Sequence, residues 1–176
     1  MPSLIRSAAF MLVAGAVAAA AGCGGGGGSS QTTFQRVLGS HFIFESPSSW
    51  EVSRVGTQVS LAPKPVAPEL VSVSVFPLLR AYRPALYAAV TKELDSTAGQ
   101  LATRLKGTVV DSRTVEVAGD KVRQYQIEYS SGGQDYEQLI TFVLRGKTEY
   151  QLLCRWTKSE KEPDACTRLV KTFTPT

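Results

Sequence analysis

Residues 108–157 read TVVDSRTVEVAGDKVRQYQIEYSSGGQDYEQLITFVLRGKTEYQLLCRWT and are rich in β-branched and aromatic side chains. Such side chains favour strands, and short glycine-containing breaks interrupt the run at regular intervals. Two of these breaks, Gly119-Asp120 and Gly146-Lys147, begin with glycine, which suits the type II′ turn of a two-residue hairpin. We therefore predict an antiparallel meander of four strands, over residues 108–118, 121–129, 135–145 and 148–157.

Helical and strand patterns flank this meander on both sides. Upstream, Pro84 suits a first helical position, and apolar residues then recur every three or four positions from Leu86 to Leu105. This spacing predicts one long amphipathic helix that ends at Gly107. Another helix is predicted over residues 163–172. Prolines divide the region before the long helix into short strands, because proline is excluded from central strands. We place these strands at residues 41–45, 51–54, 58–62 and 70–76.

The order of these elements predicts the fold class. Two groups of strands, separated by one long helix and followed by another helix, form an antiparallel sheet that is covered by helices. The class is α/β, of the α+β kind. Among 176 residues, 43% are apolar and 19% are charged, which is the balance of one globular domain. We place that domain at residues 34–176.

The charge and the counts of reactive side chains exclude several classes of function. The formal net charge is only +4, well short of the excess in nucleic-acid-binding proteins, so no nucleic-acid partner is expected. One histidine and three cysteines leave little for a mechanism that needs several imidazole or thiolate groups. No cofactor and no metal site are predicted. Glu160, Glu162 and Asp164 are closely spaced, but they are better explained as charges that favour the N-terminus of the final helix.

The N-terminus carries the features of an export signal. Arg6 is followed by sixteen uncharged residues, which as a helix would span roughly 24 Å, less than the roughly 30 Å hydrocarbon layer of a bilayer. The run ends in Ala20-Ala21-Gly22-Cys23, which resembles a bacterial lipobox, the motif in which a small residue precedes a lipidated cysteine. We therefore predict a lipoprotein signal peptide over residues 1–22 and acylation of Cys23. The alternative is ordinary signal cleavage beside an incidental cysteine.

The residues that follow Cys23 agree with such an anchor. Five glycines and two serines come next, and we predict a Gly/Ser-rich tether over residues 23–33, with a reach of roughly 17 Å. Each buried methylene contributes about 0.8 kcal/mol, so two or more acyl chains on Cys23 would hold the protein at a bilayer. The predicted location is the extracytoplasmic face of the cell membrane, with the lipid bilayer as the first partner.

Cys154 and Cys166 are the cysteines that remain if Cys23 is acylated, and disulfides persist outside the cytoplasm. In residues 150–156 the even positions are bulky and apolar, as on the buried face of a strand, so Cys154 points inward. Cys166 begins an apolar stripe with helical spacing that ends at Phe173, so it also lies on a buried face. We predict a disulfide between a strand and the helix packed on it. Two buried thiols and a redox-active pair are the alternatives.

A short motif resembles the opening of a known domain. Residues 42–50 read FIFESPSSW, which resembles PsbP-like domains, where a strand of the type F-x-F runs into P-x-x-W. The order of elements and the Val-x-Val-x-Gly segment at residues 115–119 resemble the same domain over residues 34–176. With the lipobox, the chain most resembles actinobacterial LpqN-type lipoproteins. The resemblance implies an α/β/α sandwich in the cell envelope, and it carries over no catalytic residue because the family shares none.

Residues 78–83 (LLRAYR) are the candidate ligand-binding segment, in a predicted connection between strand and helix. Arg80 and Arg83 can pair with a phosphate or carboxylate while Tyr82 stacks or donates a hydrogen bond. The plainer alternative places both leucines and the tyrosine in the core and both arginines in solvent.

The leading functional hypothesis is a non-enzymatic, membrane-anchored lipoprotein that binds an envelope lipid or a partner protein. One version is a lipid carrier, which would need a cavity between the sheet and the helix from Leu86 to Leu105. The alternative is an extracytoplasmic hydrolase, which would have to use His41 because it is the only imidazole, although no G-x-S-x-G motif accompanies it. A structural envelope protein without a specific ligand is the third hypothesis.

Overall fold

The computed structural model describes residues 32–65 and 67–176. The predicted signal peptide, Cys23 and the tether up to residue 31 lie outside the described residues. The strands are β1 (Phe34–Gly39), β2 (Phe42–Pro47), β3 (Glu51–Val55), β4 (Gln58–Ala62), β5 (Leu70–Tyr82), β6 (Thr108–Val117), β7 (Asp120–Ser131), β8 (Gln134–Thr157) and β9 (Thr174–Pro175). The helices are α1 (Tyr87–Arg104), which a short 3-10 helix over Pro84–Leu86 precedes, and α2 (Asp164–Thr172). Within these ranges, no helix has the length and apolarity to cross a bilayer.

The large sheet is antiparallel, with the strand order β3-β4-β5-β8-β7-β6. β8 has 24 residues and would extend roughly 80 Å if it were straight. Instead, the backbone amide of Lys158 donates to the carbonyl of Asp135 at 2.9 Å, so β8 turns back on itself at Gly146. Its first arm, residues 134–145, pairs with β7, and its second arm, residues 147–157, pairs with β5. The predicted four-stranded meander is therefore confirmed.

One turn of the meander differs from the prediction. Gly146 has a positive φ of 56° and its successor does not, which is the pattern of a type II′ turn, as predicted. Between β6 and β7, however, Val117 pairs with Asp120, so the turn residues are Ala118 and Gly119. Both have positive φ, 53° and 84°, as a type I′ turn requires. The prediction was wrong by one residue because alanine rarely adopts this conformation, which favoured placing glycine first.

In a small second sheet, with the order β1-β2-β9, the strands β1 and β9 have no counterpart in the predicted elements. In β1 only Val37 is buried, so the strand lacks the alternation that would reveal it. β9 is two residues long and follows α2 directly, which leaves it no pattern of its own. The strands predicted at residues 41–45 and 51–54 are present as β2 and β3, displaced at their ends by one or two residues.

The large sheet separates two apolar cores. On one face, α2 and the small sheet enclose the α2-side core, in which Phe42, Leu152 and Phe173 are buried. On the other face, α1 packs through Leu94, Ala98 and Ala102 onto β7 and the first arm of β8, forming the α1-side core. The helices thus cover opposite faces of an antiparallel sheet, which confirms the predicted fold class.

β5 continues beyond its predicted end at residue 76, so the expected connection at residues 78–83 is wrong. The strand extends to Tyr82 although it contains Pro77. β4 pairs with β5 only over Val71–Val73, so Pro77 lies beyond that neighbour, where a strand tolerates a residue without an amide hydrogen. Pairing with β8 runs to Pro77 opposite Thr148 and resumes at Tyr82 opposite Gly146. β5 thus takes five steps where β8 takes two, so residues 78–81 bulge from the sheet. We call residues 78–81 the protrusion.

Candidate functional site

The protrusion lies beside the tip of the β8 hairpin, at one end of the large sheet. Leu78 and Tyr82, at its two ends, are half-buried and pack against the α1-side core. Leu79, between them, is fully exposed. The protrusion is therefore fixed at both ends by apolar packing, while its own leucine side chain is in water.

The structure does not bring Arg80, Tyr82 and Arg83 together into one site. Tyr82 is directed to the α1-side core. Burial raises the pKa of its hydroxyl, and the nearby Asp120 and Tyr87 raise it further. Arg80 and Arg83 are exposed, and neither forms an ion pair with any described residue. Tyr82 thus packs toward the core and both arginines are exposed, as the plainer alternative expects, whereas Leu79 lies outside the core.

A groove of about 410 Å³ opens where α1 begins. It lies between the start of the helix and the β6–β7 turn, and it is lined chiefly by Tyr82, Tyr87 and Lys121. Directly beneath α1, between Leu94 and Phe142, the remaining space is only about 10 Å³. That volume suits one water molecule at most. Beside the second half of the helix, a groove of about 250 Å³ lies between α1 and the sheet, lined by Phe76, Leu101 and Ile140 among others.

Hydrogen bonds join the middle of α1 to β7. The hydroxyl of Tyr125 donates to Asp95 Oδ1 at 2.6 Å, and Arg123 Nη2 donates to the same oxygen at 2.9 Å. Arg123 Nη2 also donates to Ser112 Oγ at 3.1 Å. The bond from Tyr125 and the contacts with Arg123 lower the pKa of Asp95, whereas burial and the Asp95 bond raise the pKa of Tyr125. Asp95 thus holds α1 to the sheet most firmly when it is ionised.

We expect Asp95→Ala to lower the free energy of unfolding by about 1–2 kcal/mol, because it removes an acceptor of two hydrogen bonds at a partly exposed position. The pKa of Asp95 is lower in the folded protein than in the unfolded chain. The stability that its charge contributes is therefore complete at a pH above the ordinary aspartate pKa, and it is lost as the pH falls through the lowered pKa of the folded protein. Urea unfolding of both proteins from neutral to strongly acidic pH should show their difference closing on the acid side.

Glu93→Ala is the matched control for Asp95→Ala, because Glu93 is an exposed carboxylate on the same helix. This substitution should change stability by less than about 0.5 kcal/mol. A difference between wild type and Asp95→Ala that stays constant at every pH would contradict the assigned role of the Asp95 charge.

His41 lies in the two-residue turn between β1 and β2, with a φ of 66°. Its carbonyl oxygen accepts hydrogen bonds from the amide of Thr176 at 2.9 Å and from the hydroxyl of Tyr150 at 3.2 Å. The residue is exposed, and with the described residues its imidazole forms no hydrogen bond to a hydroxyl, thiol or carboxylate. His41 therefore contributes to the fold through its backbone.

Cys154 and Cys166 form a disulfide between the second arm of β8 and α2, with their Cα atoms 5.4 Å apart. Both residues are almost fully buried in the α2-side core, with 3% and 1% of their surface exposed. The strand alternation and the helical stripe predicted this pairing. The bond fastens α2 to the centre of the large sheet.

The acidic residues before α2 lie as the sequence predicts. Asp164 is in the first turn of the helix, and Glu162 Oε1 accepts a hydrogen bond from Thr167 Oγ1 at 3.3 Å. In the part of the chain that the structure describes, no group of three or more histidine, cysteine, aspartate or glutamate residues is placed to hold a metal ion.

Comparisons with solved structures identify the fold, although no protein-family model and no curated protein matches the chain. CyanoP, the PsbP of Synechocystis sp. PCC 6803, has a TM-score of 0.54 at 12% identity, over 88% of this chain and 99% of that one. LpqN of Mycobacterium tuberculosis, a protein involved in cell envelope biogenesis, has a TM-score of 0.51 at 16% identity, over 83% and 92%. A protein from Bacteroides thetaiotaomicron VPI-5482 has a TM-score of 0.59 at 14% identity over 83% of this chain, which spans only 49% of that protein. The fold is PsbP-like and resembles that of LpqN.

Sequence reasoning missed two features of this end of the sheet. Leu79 is in a protrusion and not in the core, and Arg145 and Lys147 flank Gly146, which pairs with Tyr82 at the end of that protrusion. Pro77 was the one signal of an irregular strand. The juxtaposition itself depends on the register between β5 and β8, which no local pattern specifies.

Proposed function

We propose that this protein is a lipoprotein, anchored through acylated Cys23 on the extracytoplasmic face of the cell membrane. There it acts as a non-enzymatic binding or accessory module of the envelope, and its partner is an envelope lipid or a membrane protein.

The observation that carries this proposal is the disulfide between Cys154 and Cys166. Both sulfurs lie inside the α2-side core, so the bond belongs to the folded structure. Disulfides of this kind persist outside the cytoplasm, where thiol-reducing systems do not reach them. The uncharged N-terminal run and the lipobox-like Ala20-Ala21-Gly22-Cys23 support the same address. An envelope role is further supported by the likeness in fold to LpqN, which is described as involved in cell envelope biogenesis.

The geometry of His41 and of the groove supports a binding role. His41 serves the β1–β2 turn through its carbonyl oxygen. The groove of about 410 Å³ lies within the range of small-molecule sites, and its lining includes one cation (Lys121), one carboxylate (Asp120) and two aromatic rings (Tyr82 and Tyr87). This mixed polar and aromatic lining suits the headgroup of an envelope lipid better than its acyl chains.

The intact mass of the protein extracted from its own membrane tests the anchor. We expect a polypeptide that begins at Cys23 and carries two or more acyl groups, since one acyl group alone binds a membrane only weakly. Cys23→Ala should lose this mass and leave the membrane fraction. A wild-type protein that begins at residue 23 without any acyl group would contradict the proposal.

Complementation of a deletion strain separates binding from catalysis in the same experiment. Wild type and His41→Ala should both restore the envelope phenotype, whereas Cys23→Ala should not. An acylated His41→Ala protein that fails to complement would instead favour the hydrolase.

A further inference from the structure

The protrusion presents an apolar side chain that the fold does not use. β5 takes five steps between Pro77 and Tyr82 while β8 takes two, so the extra residues leave the sheet. Leu78 and Tyr82 pack against the α1-side core, and Leu79 points away from it, fully exposed. A lone exposed leucine is common on protein surfaces, so its meaning depends on what surrounds it.

The surroundings of Leu79 are basic. Residues 76–86 contain Arg80 and Arg83 and no carboxylate, and the β8 hairpin tip contributes Arg145 and Lys147. All four cations are exposed, and none forms an ion pair with a described residue.

Two carboxylates, Glu149 and Asp120, belong to the same end of the sheet. Glu149 pairs in register with Phe76 and accepts a hydrogen bond from Gln151 at 2.6 Å. Asp120 lies beside Tyr82, at the groove. The protrusion and the hairpin tip thus place four exposed cations at the same end of the large sheet as one exposed apolar side chain.

We propose that this surface, made of Leu79, Arg80, Arg83, Arg145 and Lys147, binds an anionic phospholipid bilayer. Guanidinium groups bind phosphate oxygens through paired hydrogen bonds, and a lysine adds a point charge. Each such cation contributes on the order of 1 kcal/mol close to an anionic membrane surface. Leu79 then enters the boundary between headgroups and acyl chains, as apolar residues of peripheral membrane proteins do.

This surface lies at the far end of the domain from the point where the described chain begins. The described chain begins close to Trp50, whose carbonyl accepts a hydrogen bond from Gln35. The pairing of β3, β4, β5 and β8 puts this end of the sheet at the level where Leu70 pairs with Arg155. From Arg155 to Gly146 the second arm of β8 extends roughly 30 Å. A domain whose long axis lies along the membrane can therefore present this surface to the bilayer that holds the proposed anchor. The inference rests on the proposed function only in assuming the lipid anchor at Cys23.

A fluorescent probe at residue 79 tests the proposal in the full-length acylated protein. Leu79→Cys is labelled with an environment-sensitive dye and reconstituted into vesicles of phosphatidylcholine alone or mixed with phosphatidylglycerol. Cys154 and Cys166 are in the disulfide, so the introduced thiol is the one open to labelling in the described residues. We expect a blue shift, and quenching by brominated acyl chains, only in the anionic vesicles, with both effects falling as salt rises.

Two further variants make the result specific. Val110→Cys, an exposed apolar position on β6, should report water in both kinds of vesicle. Arg80→Gln with Arg83→Gln should weaken the contact of the Leu79 probe by about thirtyfold, which is the loss of about 1 kcal/mol for each of two charges.

The possible failures are distinguishable. If the labelled protein floats with both kinds of vesicle but the Leu79 probe stays in water, the proposal is overturned and the anchor stands. A probe that enters phosphatidylcholine alone equally well, or enters only when membrane proteins are added, overturns it too. A protein that floats with no vesicle refutes the anchor instead.

Discussion

Phe173→Ala is expected to lower the free energy of unfolding by about 3–5 kcal/mol, the usual cost of emptying an aromatic site in a well-packed core. The ring is 1% exposed. Its centroid lies 5.3 Å from that of Tyr150 in an edge-to-face contact and 6.0 Å from that of Phe42. The substitution thus removes the contact that joins α2, the small sheet and the large sheet. Urea unfolding monitored by circular dichroism measures the loss.

Phe76→Ala is the control for Phe173→Ala. Phe76 is 44% exposed on the other face of the large sheet, so its removal should cost about 1 kcal/mol or less. Equal losses for the two variants would show that the α2-side core does not dominate stability.

Removal of the disulfide is expected to cost about 3 kcal/mol, the value for a closed loop of about a dozen residues. Cys154 and Cys166 are 12 positions apart. In the double variant Cys154→Ala with Cys166→Ala, the two small side chains leave no buried thiol that could pair wrongly. Its unfolding should be compared with that of wild type, with and without a reductant.

Reduction provides the control within the wild type. The reductant should lower the stability of the wild type to near that of the double variant and leave the double variant unchanged. Alkylation of both thiols in exported protein that has met no reductant would contradict the bond.

The parts of the fold that local patterns specify could be predicted. Glycine at Gly146 and the apolar runs on either side of it predict a hairpin, and the structure has it within β8. The alternation around Cys154 and the helical stripe from Cys166 to Phe173 place both sulfurs on buried faces, which was sufficient to pair them. In each case the period of the apolar residues reports directly which side of the element is buried.

Features that arise from pairing between distant segments could not be predicted. β9 is two residues long and exists because Phe42 and Ile43 of β2 are opposite it. The protrusion likewise exists because β4 is too short to accompany β5 to its end. For the candidate site, the unusual composition of residues 78–83 is visible in the sequence. The orientation of Leu79 and Tyr82 is not, because it depends on the bulge, which changes the side of β5 that each residue faces.

The last residues of the chain complete its interior. Leu169, Phe173 and the disulfide partner Cys166 come from α2 and its end, and β9 then closes the small sheet that β2 began more than a hundred residues earlier. The interior therefore cannot assemble until this final segment is in place. Contacts of such long sequence separation form late, because the loops between them must close first. In a chain exported as proposed, the two cysteines therefore meet only after the sheet on which α2 rests has crossed the membrane.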